Sequence, residues 1–263
     1  MTATFQRTYP WKLALFPLLE LVLFITAVLV PNQLLSLLLV LLAGVLLSFS
    51  IHIFFHECVH WHSRYPQWIN IIHSLFLGLP FDGYRVHHYN HHTYANNVED
   101  FSTTWRVIDG NTCGFPPCQY AIGWPRQLKR AVREPHPFDP VMGDVNSIKS
   151  RIPLQKLALL LLMVLLVLLS FKAFLLYLLL VYSGWAFSAL HNYGQHLPTH
   201  KEVIVTYPNQ LYNKLFFNNG LHWEHHHMPW LSWDQLTLDP HSERISHPHL
   251  LEPCFKREHR AGC

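Results

Sequence analysis

Charge is what this chain has least of. Only 13% of its 263 residues are Asp, Glu, Lys or Arg, while 50% are hydrophobic; an ordinary soluble domain carries charge on about a quarter of its residues. That imbalance argues against a soluble globular domain and for a membrane protein. Acid is scarcer still: 16 Asp and Glu stand beside 21 His, so the histidines cannot mostly be partners of carboxylates. Cysteine is sparse and unpatterned. Cys58, Cys113, Cys118, Cys254 and Cys263 form an odd, scattered set that argues against a disulfide framework. Cys113 and Cys118 have a clip-like spacing but no matching second pair, and are read as two free thiols. No cysteine quartet has iron–sulfur spacing and no haem-binding domain is visible.

Long apolar runs are present instead. Residues 11–31 and 33–55 are separated by almost nothing, and so are 154–171 and 173–190. Each run can cross about 30 Å of hydrocarbon at about 1.5 Å per residue. The first is too long, and lacks a small-residue cleavage site, for a removable signal peptide. The expected fold is an all-α integral membrane protein, one domain over 1–263, with four spans in two hairpins and a cap formed by 56–152 and 191–263. Lys and Arg concentrate between the hairpins and in both tails, whereas the first hairpin turn has none and the second has only Lys172. The positive-inside rule then places both termini and the cap in the cytoplasm. Nothing in the charge pattern calls for nucleic acid, and nothing specifies an oligomeric state.

The histidines fall where this topology brings them to one face. "HECVH" (His56, His60) follows the second span, and its i, i+4 spacing puts both rings on one side of a helix. "HYNHH" (His88, His91, His92) and "HWEHH" (His222, His225, His226) share an i, i+3, i+4 spacing. Neutral imidazole is the commonest metal ligand. Eight such rings are too many for one tetrahedral zinc and suit two ions with open positions.

With these motifs the chain resembles the membrane fatty-acid desaturase superfamily and its three histidine boxes. "YRVHHYNHHTYAN" (84–96) and "NNGLHWEHHHMP" (218–229) match the second and third boxes with their flanking Arg, Asn and Pro. The resemblance implies that His56, His60, His88, His91, His92, His222, His225 and His226 hold two irons, with one further histidine before the third box. His196 is the better candidate and His191 the second, because the two lie about 140° apart on a straight helix and Pro198 lets the chain turn at His196. It also implies O2 as co-substrate, a membrane lipid or acyl substrate, and an external electron donor of ferredoxin or cytochrome b5 type. Acyl desaturation is the favoured reaction. Carotenoid ketolation or hydroxylation, or another lipid C–H oxygenation of the same superfamily, is the alternative, since "VEDFS" and "YGQHLPTHK" also resemble carotenoid ketolases.

Other residues receive plainer readings. Glu57, Glu224, Glu99 and Asp100 are expected to accept hydrogen bonds from ligand imidazoles. His52 is read as packed, His62, His73, His87 and His227 as rim groups or as supports behind the ligands, and His241, His247 and His249 as solvated. Trp223 and Trp230 are expected to anchor the third box. "HECVH" also spells the zinc-protease motif, but a protease leaves six box histidines without a role. The basic stretch 126–133, "RQLKRAVR", suits an acidic donor or anionic lipid head groups.

Overall fold

The computed structural model describes residues 10–60, 66–108, 111–133, 145–198 and 204–255. His62 lies outside them. A short 3-10 turn at Trp11–Ala14 leads into α1 (Leu15–Leu29). Asn32 then caps α2 (Gln33–Phe49) by accepting from the Leu35 backbone N–H at 2.9 Å, which stops one helix and starts the next within three residues. The chain continues through a π turn, Ser50–Phe55, directly into α3 (His56–His60). π turns widen a helix locally and are frequent at functional sites. Here the turn begins where Ser50 Oγ donates to Glu20, a carboxylate buried inside the first span.

The second hairpin is α8 (Val145–Leu169) and α9 (Phe171–Gln195). Among the described residues four helical runs, Trp11–Leu29, Gln33–His60, Ser147–Leu169 and Phe171–Gln195, are long and apolar enough to span a membrane. The third begins before residue 154 because "SIKSRIP" continues its helix, and the fourth passes residue 190, carrying His191 within it. Lys172 Nζ donates to the Val30 carbonyl at 2.6 Å, so both hairpin turns meet at one end of the bundle. Leucines such as Leu18, Leu38, Leu161 and Leu168 stay exposed on its outside, as lipid-facing residues do. Small residues let α2 and α9 approach closely: a Cβ at Gly44 would overlap Ser183, and one at Gly184 would overlap Leu47.

The opposite end carries the cap, built from α4 (Gln67–Leu77), α5 (Phe81–Tyr94), α6 (Pro117–Ile122), α7 (Trp124–Arg133), α10 (Gln210–Leu215), α11 (His222–His227) and α12 (Glu252–Phe255). It also contains an antiparallel hairpin, β1 (Trp105–Ile108) with β2 (Asn111–Gly114), in register Trp105↔Gly114. The all-α expectation missed this hairpin, which is too short to show a period. Asp82, fully buried, fixes α5 in place. Its carboxylate accepts from Arg85 Nη1 at 3.1 Å, Gln155 Nε2 at 2.5 Å and Asn70 Nδ2 at 3.3 Å, which joins α4, α5 and α8. Such a buried charge is tolerable only when it is paired in this way.

Candidate metal centre

The nine histidines singled out in the sequence converge at the foot of α2 and α9 and fall into two groups. His56, His60, His88, His92 and His225 form one; His91, His196, His222 and His226 form the other. Within each group the ring nitrogens offered lie within 4.8 Å of one another. The boxes are not the groups. In α5, His88 and His92 at i, i+4 share a face and enter the first group, while His91 at i+3 points to the second. In α11 the assignment reverses: His222 and His226 enter the second group and His225 the first. The period of the helix dictates this split.

The ring atoms suit metal ions better than they suit one another. Nε2 to Nε2 separations are 2.8 Å for His60 and His88, 2.9 Å for His196 and His222, and 3.1 Å for His92 and His225. Two ligand nitrogens each about 2 Å from a shared ion and at right angles lie about 3 Å apart. Meanwhile both nitrogens of His56, Nε2 of His91, Nε2 of His226 and Nδ1 of His196 and His222 are buried without a hydrogen-bond partner. Orphaned buried nitrogens are costly and uncommon in proteins. Burial, the largest cause, drives the protonation of His88, His92, His196, His222, His225 and His226 well below the ordinary range, and neighbouring imidazoles push the same way. The rings are therefore neutral at pH 7, the form that ligates metals.

One carboxylate serves a candidate ligand as expected. Asp100 Oδ2 accepts from His91 Nδ1 at 2.8 Å, which fixes the tautomer and leaves Nε2 directed into the four-histidine group. Burial alone would raise this carboxyl; the adjacent His91, through its field and its hydrogen bond, and the Ser102 backbone N–H outweigh it and hold Asp100 well below the usual carboxylate range. Two consecutive left-handed residues, Ala95 (φ 36°) and Asn96 (φ 70°), turn the chain so that the Asn96 N–H also donates to Asp100. Asn96 then accepts from the Thr104 N–H, and Thr104 Oγ1 donates to the His196 carbonyl at 2.8 Å. That chain of bonds seats His196 beside the second box.

Two of the other carboxylate expectations, Glu224 and Glu99, are corrected. Glu224 is fully buried but accepts from Thr206 Oγ1 and the Asp239 N–H, fastening the tail rather than a ring. Glu99 is exposed, and its backbone carbonyl, not its carboxylate, accepts from Asn90. Glu57 is buried beside His56.

His191 is placed in neither group. It is fully buried and stacks on His52 with centroids 4.2 Å apart, while His52 Nε2 donates to the Ser188 carbonyl at 3.0 Å, as a packed histidine should. His249, expected in solvent, is fully buried: the tail folds back so that it stacks on His191 at 5.8 Å and lies 6.1 Å from His222. Burial pushes it down to about 3. A Cβ at Gly194 would overlap the His249 carbonyl, so this seat needs glycine on α9. His73 is not at a rim but enclosed by Phe54, Phe55 and Phe81, and burial pushes it down to about 3. His87 is half-buried and His241 exposed. His247 is half-buried and contacts Glu252 at 3.0 Å. His227 is exposed, stacked on Trp223 at 3.6 Å. Trp230 is exposed, whereas Trp233, which the sequence did not single out, packs against His56 and His225 at 4.8 and 4.7 Å. The thiol reading is also corrected in part: Cys118 is free, but Cys113 is disulfide-bonded, a pairing that sequence spacing cannot reveal.

A cavity of about 570 Å³ opens onto the centre. Its walls are mainly apolar, with Ile51, Leu79, Tyr84, Trp124, Ile152 and Trp185 among them, and His56, His88, His91 and His222 at its inner surface bring both groups to it. Tyr84 and Trp185 are held by hydrogen bonds to the Ile51 and Leu77 carbonyls, so the walls are built rather than incidental.

Comparison with known proteins agrees with this geometry. A family model described as fatty acid desaturase matches residues 32–239, a span that contains all nine histidines. Searches of curated proteins and of solved structures return no match. The chain belongs to the fatty acid desaturase family.

Proposed function

We propose that this protein is an O2-dependent lipid desaturase that holds two iron ions, one in each histidine group. The observation that carries this reading is the apolar cavity bordered by both groups, because it would present a hydrocarbon chain to both ions at once. Bound iron would supply the redox chemistry with O2 that zinc cannot. The residues of the chain do the rest. Tyr84, Trp124 and Trp185 confine the apolar substrate and exclude water. Asp100 holds His91 in one tautomer, and the Asn96–Thr104 bonds hold His196 against α5. Desaturation removes two hydrogens from the substrate; with two electrons and two protons from outside, O2 leaves as two waters. The electrons would come from a donor protein of ferredoxin or cytochrome b5 type.

The ring count weighs against the zinc protease suggested by "HECVH", since His56 and His60 share their group with three further imidazoles. Lipid and pigment profiling of a host expressing the chain tests the reaction. New double bonds in acyl chains are expected; new oxygenated carotenoids with unchanged acyl chains would establish the ketolase or hydroxylase reading instead. We further place the termini and the cap in the cytoplasm on the strength of the basic residues. Cys118 and Cys254, free and exposed, decide it: neither should react with an impermeant thiol reagent in intact cells, and ready labelling would invert the topology.

A further inference from the structure

A second hollow, of about 530 Å³, lies on the cap between the β1–β2 hairpin, α7 and the turn after the second box. Its walls carry three arginines, Arg106, Arg126 and Arg130, with Phe101, Trp105 and Phe115 between them, and among the described residues no acidic side chain lines it. Arg126 and Arg130 stand at i, i+4 on one face of α7, and Arg106 faces them from β1. Guanidinium groups on aromatic walls favour carboxylates, which they bind in a planar, two-pronged manner.

The floor of this hollow leads straight to the metal centre. Arg130 Nη1 donates to the Asp100 carbonyl at 3.1 Å and Nη2 to the Val98 carbonyl at 3.0 Å. The carboxylate of the same Asp100 accepts from His91 at 2.8 Å. One residue and two hydrogen bonds therefore separate a surface arginine from a ring of the four-histidine group. The substrate cavity described above offers no comparable cluster of guanidinium groups.

We propose that this hollow is the docking surface of an acidic one-electron carrier protein, and that electrons enter through Asp100 and His91 into the four-histidine group. The inference rests on the reading of the centre as a two-iron site. Each encounter would oxidise one carrier by one electron and pass that electron to the two-ion centre by way of the four-histidine group, so two encounters would supply the two electrons that a desaturation consumes. A protein surface bearing carboxylates fits a concave, aromatic-walled site. A flat plane of lipid head groups reaches its rim alone.

The test measures binding of a plant-type [2Fe–2S] ferredoxin, an acidic carrier, to the iron-loaded protein in nanodiscs at low and high salt. Binding to the wild type should weaken with salt, as steering between opposite charges requires. R126E and the double variant R106E/R126E should weaken it by about tenfold or more at low salt, with iron content unchanged. K214E, which reverses an exposed charge outside the hollow, should leave binding intact. Reduction by dithionite, which needs no docking, should proceed at the wild-type rate in every variant. Equal ferredoxin affinity in wild type and R106E/R126E would overturn the proposal. So would variants that bind ferredoxin normally but lose affinity for phosphatidylglycerol vesicles, because the arginines would then serve the membrane. Failure of the two-iron reading looks different: the wild type would contain no reducible iron, and dithionite would change no spectrum.

Discussion

The two histidine groups use the same motifs, yet helices alone carry the rings of one, while the other takes a ring from beyond a helix end and leans on loops and the tail. The five-histidine group takes His56 and His60 from the end of a span and His88 and His92 from one face of α5, with Trp233 packed against two of its rings. His225 comes from α11, so helices supply all five of its rings. The four-histidine group takes His91 from α5, His222 and His226 from α11 and His196 from the frayed end of α9. It needs a carboxylate behind His91, the Asn96–Thr104 bonds behind His196, and the buried tail around His249. The first group is thus a product of spacing, and the second of tertiary support. It is also the second that has a charged neighbour and a hydrogen-bonded route to the surface.

The largest expected effects ignore this difference. His92→Ala and His226→Ala should each reduce activity to background, since removing hydrogens from an unactivated chain would need both ions. Residual activity in either, measured on acyl chains, would mean that one group works alone. Asp100→Asn separates the groups. It preserves shape but removes the acceptor that fixes His91, and should lower metal affinity in the four-histidine group or activity by about 10- to 100-fold. The five-histidine group should keep its ion. Equal loss from both groups would show that the centre is held as a unit.

Gly194→Ala is a structural version of the same test. The new methyl must displace the His249 backbone, an overpacking that should cost about 1–3 kcal/mol. Thermal unfolding should move to lower temperature, and metal should be lost first from the four-histidine group. An unchanged melting temperature would mean that the tail does not support the site. His191→Ala should have the smallest effect on the centre. It removes a buried ring stacked on His52 and lowers stability, but its iron-to-protein ratio should match the wild type. A drop in that ratio would make His191 the ninth ligand in place of His196.

This comparison also explains what could be read from the sequence. The spans, the hairpins and the box histidines were legible because hydrophobic length and helical spacing are local signals. His196 was legible through Pro198, which marks where α9 must end. Even the split between the groups follows from i, i+3 and i+4 positions on α5 and α11. The support of the second group was legible only in part. Asp100 was expected behind a ligand imidazole, but that the imidazole is His91 depends on two left-handed residues, Ala95 and Asn96. Glu224 looks like a partner for its neighbouring histidines but is turned toward Thr206 and Asp239. His249 sits in a polar, proline-containing tail that reads as solvated until Gly194 admits it to the core. Cys113 shows the same limit, since its pairing depends on approach in space.

The central claim is that these nine rings hold two ions as separate groups of five and four. Metal analysis of the purified wild type and of His196→Ala, combined with Mössbauer spectroscopy of iron-57-loaded protein, tests it most directly. The account predicts about two irons per chain in the wild type, in two distinguishable environments, and about one in His196→Ala with the signal of the five-histidine group retained. A single zinc per chain, or complete loss of both irons in His196→Ala together with one shared environment in the wild type, would contradict it.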